Sequence, residues 1–271
     1  MNTLNFGTLN VRGFKKIEHN DKTRSLHLQP IIADINKHSL DVLAVQETHF
    51  GEAVYKQKEK DYTGFFVNED KNFHHGAGII IRNKFKPNFQ KISPRVCSAT
   101  FKLDNNKPIL FICGYAPHET LSKKHPHLKN NFYNDLQKAL LLRTANTIVI
   151  LALDANALTS YNPENNPNNV LGKYTKGDKT NSNGESLIHF AAENNLHLTN
   201  TRFQHKISRR TTWTAPYKPL KLPNGETRRN PIRNQIDYIA INTRFLQFVT
   251  NSRSYGNLET FTDHKTTSLL L

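Results

Sequence analysis

The chain has 271 residues, with 37 Lys or Arg against 22 Asp or Glu, a formal net charge of +15. That length allows a sizeable core, and 37% hydrophobic with 22% charged residues is the balance of a folded soluble protein. There is no run of about 18 apolar residues to span a membrane. Two cysteines are too few for a disulfide framework or a thiolate metal site. Cys97 and Cys113, each inside an apolar run, read as small buried hydrophobes.

In chain order, residues 3–11 alternate apolar and polar side chains, the period of a strand, and run into a turn at Arg12-Gly13. Residues 24–38 carry Leu28, Ile31, Ile32 and Ile35 at helical spacing, which predicts a helix. A β-branched run from Asp41 ends in Gln46-Glu47, and a Lys/Glu/Gln-rich stretch at 52–60 reads as mobile. Tyr62–Val67 and Gly78–Arg82 form a hairpin candidate, followed by strands at Val96–Leu103 and Ile109–Tyr115. Asn131–Leu142 is helical by period, and Thr147–Leu153 is an apolar strand ending at Asp154. Residues 159–184 read as a long loop, then a helix at Ser186–Asn194 and a short strand at Leu196–Thr199. Strands at Thr211–Thr214 and Ile236–Ile241 flank a basic loop at 215–235, and Trp213 reads as core. Thr262-Asp263-His264 then stands where a final buried strand begins. No composition break divides the chain, so one domain over residues 1–271 is expected. The N-terminus enters its first strand without a basic segment and an apolar segment before it, so no signal peptide is expected. Hairpin pairs and few helices favour an α/β fold of two packed, largely antiparallel sheets with helices outside.

Polar residues recur at the ends of these apolar strands, and their chemistry converges on phosphodiester hydrolysis. Glu47 and Asp263 offer the hard oxygens that Mg²⁺ prefers. Asp154 is a candidate general base for an attacking water, with Asn156 two residues on to orient it. His264 held by Asp237 would present an imidazolium to a phosphoryl oxygen, and Tyr115 would donate to the same phosphate. Each has a plainer reading alone: a solvated turn glutamate, an Asx-turn at Asp154, a surface histidine. Asp237 within Gln-Ile-Asp-Tyr-Ile is harder to dismiss, because an acid inside an apolar strand needs a partner. The charge excess favours a polyanionic partner, since each Lys or Arg placed on a phosphate releases condensed counterions. Arg228, Arg229 and Arg233 in the basic loop are candidate DNA contacts.

The order Asn10-Val11-Arg12-Gly13, Gln46-Glu47-Thr48, Gly114-Tyr115-Ala116-Pro117, Asp154-Ala155-Asn156, Gln235-Ile236-Asp237-Tyr238 and Thr262-Asp263-His264 resembles the endonuclease/exonuclease/phosphatase superfamily. Asn183-Gly184-Glu185-Ser186-Leu187, Leu198–His205, Thr212–Pro216 and Arg233–Tyr238 look more narrowly like the endonuclease domain of non-LTR retrotransposons. The likeness is to the RTE/BovB-like branch and proteins derived from it, such as craniofacial development protein 2-like sequences. The resemblance implies a four-layered, DNase I-like α/β sandwich. It also implies a Mg²⁺ (or Mn²⁺) endonuclease that nicks one DNA strand to leave 3′-OH and 5′-phosphate. Glu47 would hold the metal with Asn10 and Asp263 around it. Asp154 and Asn156 would handle the water. Tyr115 and His264 would meet the scissile phosphate, with Asp237 orienting His264. Arg12 stands where AP endonucleases have an acid and looks like the DNase I branch, where an arginine meets phosphate. Leu153 and Ala155 replace the usual Gly and Phe, and Thr262 the usual Ser. DNA is the implied partner, with a reverse transcriptase on the same polyprotein, nuclear action and no membrane. The alternatives are a phosphatase or lipid phosphodiesterase of the same superfamily, and a non-enzymatic DNA- or chromatin-binding derivative.

Overall fold

A computed structural model describes residues 3–14, 16–18, 24–50, 54–68, 75–215, 220–221, 227–228, 232–257 and 259–271. Two sheets pack face to face. One has seven strands, in the order Asn251–Tyr255, Thr266–Leu270, Asn5–Asn10, Val42–Gln46, Ala77–Arg82, Tyr62–Val67 and Val54–Lys58. The other has six, in the order Leu196–Leu198, Asp237–Asn242, Ile148–Asp154, Pro108–Tyr115, Val96–Lys102 and Asn88–Ser93. Each contains one parallel pair, Asn5–Asn10 beside Val42–Gln46 and Pro108–Tyr115 beside Ile148–Asp154. The other pairs are antiparallel, as the hairpin pattern predicts.

The layers follow from period-2 alternation along strands buried on both sides. In Ile148–Asp154, Ile148, Ile150 and Ala152 enter the core between the sheets, where Phe6, Phe111 and Ile239 meet them. Val149, Leu151 and Leu153 face outward to Leu136 and Leu140 of the helix Pro126–Leu140 and Leu187 of the helix Ser182–Glu193. On the far side Leu9, Leu43 and Val45 pack under Ile31 and Ile35 of the helix Gln29–Lys37. The result is the four-layered DNase I-like sandwich. Cys97 and Cys113 lie opposite each other on adjacent strands, both buried between the sheets. No helix among the described residues is long and apolar enough to cross a membrane.

Several local readings need correction, among them the helix expected over Asn131–Leu142, which is Pro126–Leu140. The helix expected over 24–38 begins only at Gln29, because Pro30 fits only a first turn and Leu28 precedes it; Arg24–Leu26 is a strand against Lys16–Glu18. Val54–Lys58, in the stretch read as mobile, is an edge strand, anchored where Gln57 exchanges hydrogen bonds with the Leu26 backbone. Asn88–Ser93 and Asn251–Tyr255 are strands that the apolar pattern did not mark. Trp213 is half-buried rather than core. The loop expected over 159–184 is irregular, with short 3₁₀ turns, but its last three residues already belong to the helix Ser182–Glu193, which starts before the expected Ser186.

That helix fixes the loop carrying Asn156. Asn181 caps it by accepting from Gly184 N at 2.8 Å, and the same oxygen accepts from Leu158 N at 2.9 Å. Asn183 Nδ2 donates to Asn156 O at 3.1 Å. A Cβ at Gly184 would collide with the Leu158 carbonyl. Gly184→Ala is therefore expected to destabilise the protein by about 2–3 kcal/mol, read from urea unfolding midpoints, because backbone rather than a flexible side chain must yield.

Candidate active site

Both parallel pairs end on the same rim. Asn10 is opposite Gln46 at the end of one, so Glu47 follows directly; Tyr115 is opposite Asp154 at the end of the other. Asp237 pairs with Asp154 as its strand begins, and a backbone bridge from Trp213 to His264 brings in the last motif. The turns are tight. Arg12, Glu47, His49 and Asn156 all have positive φ, from 47° to 52°. Non-glycine residues seldom take that conformation, and such strain gathers at functional sites. At Glu47 it turns the carboxylate off the strand direction and into the rim.

The carboxylates are laced together by named donors. Asn10 Nδ2 donates to Glu47 Oε1 and to Asp154 Oδ2, each at 2.8 Å, while its Oδ1 accepts from Arg12 N at 3.0 Å. Tyr115 Oη donates to Glu47 Oε1 at 2.7 Å, and Asn156 N to Asp154 Oδ1 at 3.1 Å. Arg12 Nη1 and the Trp213 indole both donate to Asp263 Oδ2 at 2.9 Å. His264 Nδ1 meets both oxygens of the wholly buried Asp237, at 3.0 and 3.1 Å, which leaves Nε2 for the cleft.

Burial alone would raise the Glu47 carboxyl, but hydrogen bonds from His49, Asn10 and Tyr115 outweigh it and hold it down at about 2. Asp154 behaves oppositely. Burial and the Asp237 carboxylate push it up to about 7, against the pull of His264, Asn10 and the Asn156 N–H. Burial would lower His264, yet Asp237, with help from Asp154 and Asp263, raises it to about 9. The imidazole is thus a cation at neutral pH. Burial and the charges of Glu47 and Asp154 push the Tyr115 phenol well above its usual range, so it stays protonated.

These groups line a cleft of about 490 Å³. It takes in Arg12, Glu47, Tyr115, Asp154, Asn156, Asp263 and His264 among the residues expected from sequence. Asn10 lies beneath, bridging two carboxylates. Arg233 is exposed on a two-stranded ribbon paired with Thr214 and does not line the cleft. The Arg228 side chain and Arg229 lie outside the described residues. Three participants were missed. Trp213 holds Asp263; His49 Nε2 stands 3.5 Å from Glu47 Oε2; Arg95 stacks on the Tyr115 ring at 4.9 Å and donates to its carbonyl. His49 had a signal, two residues after Glu47; Trp213 and Arg95 had none that periodicity could supply.

The donor set fits a divalent cation. Glu47 stays ionised, and Asp263 Oδ1 is buried without a hydrogen-bond partner among the described residues, 3.9 Å from His264 Nε2. Asp154, Asp237 and His264 also bring ligand atoms within 4.8 Å of one another. His264 Nδ1 is spent on Asp237, however, and the Asp154 oxygens accept from Asn10 Nδ2 and Asn156 N, so these ligand atoms already have partners. The oxygens of Glu47 and Asp263 are hard ligands of the kind Mg²⁺ prefers.

The sequence profile of the Endonuclease/Exonuclease/phosphatase family matches residues 7–264. The chain is 24% identical to Craniofacial development protein 2 of Bos taurus over 249 residues, covering 88% of this chain and 37% of that protein. Identity to the Tragulus javanicus protein of the same name is 30% over 134 residues, 49% of this chain and 21% of that one. The chain thus spans well under half the length of these relatives. Among solved structures it resembles the endonuclease domain of TRAS1, a telomere-specific non-LTR retrotransposon, with TM-score 0.61 and 11% identity over 98% of this chain and 97% of that one. It also resembles the Xenopus laevis APE2 catalytic domain, with TM-score 0.65 and 15% identity over 98% and 91%. At those identities the likeness is one of fold, and it agrees with the two-sheet architecture. With the profile running from the first strand to His264, this chain belongs to the endonuclease/exonuclease/phosphatase family.

Proposed function

We propose that this chain is a Mg²⁺-dependent DNA endonuclease that nicks one strand, leaving 3′-OH and 5′-phosphate. It would serve a non-LTR retrotransposon or a protein derived from one. The observation that carries the reading is geometric: Asp154, Asn156 and His264, the last held through Nδ1 by the buried Asp237, line one cleft with the carboxylates of Glu47 and Asp263. The net charge of +15 favours nucleic acid over a small phosphate ester. On this reading the 3′-OH primes a reverse transcriptase on the same polyprotein, and the protein acts in the nucleus.

Glu47 and Asp263 would hold Mg²⁺, with Asn10 fixing Glu47 against Asp154; Mn²⁺ offers a similar fit. The metal supplies Lewis-acid stabilisation of charge on the phosphate. Asp154 accepts the proton of the attacking water, its basicity raised by burial and by Asp237. Asn156, tethered by its Nδ2 to Ala116 O at 3.1 Å, orients that water. His264 Nε2 donates to the phosphoryl oxygen as negative charge develops, and Asp237 preserves the cation that makes the bond strong. Tyr115 spends its proton on Glu47 here, so its first effect is to position that carboxylate; contact with phosphate exchanges one acceptor for the other. Arg12 and Arg233 meet the DNA backbone.

The test is relaxation of supercoiled plasmid with Mg²⁺ or with EDTA. Open circles are expected only with metal, and Glu47→Ala should lose them while retaining DNA binding. Hydrolysis of inositol phosphates or sphingomyelin without nicking would move the substrate to another branch of the family. Metal-independent DNA binding without turnover would make the protein a binding module.

A further inference from the structure

The six-stranded sheet has a second hollow at the end opposite the catalytic rim. Its strand Ile148–Asp154 delivers Asp154 to the rim and starts, at the other end, directly after Thr147. The antiparallel strand Asp237–Asn242 leaves the rim and stops at Asn242. Ile148 to Asp154 is about 20 Å of strand, so the two sites are far apart. The hollow measures about 420 Å³, and its lining includes Arg143, Thr144, Thr147, Asn195, Thr243 and Arg244. No Asp or Glu lines it, and the segments 140–149, 193–198 and 240–248 that carry it fall wholly within the described residues. Its charge is that of its two arginines. Its walls are fixed: Asn242 Oδ1 accepts from Val149 N at 3.0 Å, and its Nδ2 donates to Thr147 O at 3.1 Å. Thr243 N donates to Asn195 O at 2.9 Å.

Three cations gather there without an anion. Arg244 Nη1 is set by Asn146 Oδ1 at 2.7 Å, and its guanidinium lies over the Phe245 ring at 5.8 Å. Lys107 Nζ stands over the same ring at 5.2 Å. The Arg143 side chain is exposed and has no partner among the described residues, and none of the three makes an ion pair with them. Phe248, on the same 3₁₀ turn Thr243–Phe248, is 54% exposed, with its ring 6.3 Å from that of Phe245. Like charges repel until a polyanion joins them, and a guanidinium fork matches phosphate oxygens. An exposed aromatic beside cations adds a face on which a base stacks, the combination that holds single strands. We propose that this end of the molecule binds a single-stranded nucleic acid, with phosphates on Arg143, Arg244 and Lys107 and a base on Phe248. A duplex offers the same phosphates but hides its base faces. The site is separate from the cleft and does not depend on the nuclease reading.

The full chain, in EDTA, is titrated onto labelled oligothymidylate across a salt series. Arg143→Gln with Arg244→Gln should reduce the slope of log Kd against log salt by about 1.4, two phosphate contacts at about 0.7 each. Arg143→Gln alone, which gives up no bond, should reduce it by about 0.7 and serves if the pair fails to fold. Phe248→Ala should weaken binding about tenfold with the slope intact, the worth of one base–aromatic stack, and Phe248→Trp should keep it. The control pair Lys37→Gln with Lys58→Gln, exposed on the side of the seven-stranded sheet, should leave the slope in place. A slope unchanged in the arginine variants overturns the proposal. So does an equal fall in the control pair, which would make the attraction one of diffuse charge. A duplex that loses as much affinity in Phe248→Ala overturns the assignment to single strands. Phosphatidylserine vesicles bound through Arg143 and Arg244, with the oligonucleotide slope unchanged, would overturn it in favour of a lipid headgroup.

Discussion

Asp154→Asn is expected to slow nicking by about 10³-fold while making the metal-free protein more stable above neutral pH. Loss of rate follows because an amide cannot take the water's proton. The substitution is close to isosteric, and Asn10 Nδ2 can still donate to an amide oxygen at 154, while the Asn156 N–H loses the acceptor it has on the second carboxylate oxygen. The stability change follows from linkage. Burial and then Asp237 raise Asp154 in the folded protein to about 7, above its ordinary 3.8. A carboxyl raised in this way contributes stability that is fully present below its unfolded value and is lost as pH rises through about 7. Above that pH the folded protein holds two buried like charges, Asp154 and Asp237, strands apart by one pairing. Asparagine removes one. Thermal melts in EDTA at pH 5 and pH 8 check the sign, with the variant gaining on the native protein mainly at pH 8. A variant that loses activity and stability together would mean that Asp154 holds the rim together rather than serving the reaction.

That trade of stability for chemistry also explains what could be read from sequence. Asp237 announced itself, because an acid in Gln-Ile-Asp-Tyr-Ile must be paired, and it is paired with His264. Asp154 and Glu47 were legible as polar ends of β-branched runs, a local pattern that the parallel registers convert into proximity. Trp213 was not, since its reason for being half-exposed is Asp263, fifty residues away. Asn251–Tyr255 escaped for a different reason. Its inward side chains are Ser252 and Ser254, buried not as hydrophobes but as donors to the Ser268 and Thr211 carbonyls. A strand whose buried face is satisfied hydroxyls has no apolar period to find. The start of the helix at Gln29 was misplaced because its apolar stripe continues back to Leu28, while the backbone is governed by Pro30.

Asp237→Asn should cost about 10³–10⁴-fold in kcat with little change in DNA affinity, and should move the alkaline limit of activity to lower pH. Asp237 does not line the cleft, so substrate binding has no direct use for it. Its effect passes through His264, whose burial would otherwise favour the neutral ring. With the carboxylate present, the imidazolium persists to about pH 9; with an amide, burial gains ground and the cation is lost earlier. The same shift fixes a stability signature. A histidine raised from 6.5 to about 9 adds stability that is fully present below 6.5 and disappears as pH climbs through 9. In EDTA that component should be missing from the variant, whose melting temperature then falls below the native one most clearly at acidic and neutral pH. Because the freed imidazole can shed its proton, the substitution need not strand a buried charge, and its cost stays below that of breaking an obligate ion pair. An alkaline limit that stays in place in the variant would detach His264 from the rate, and the imidazolium would lose its part in the reaction.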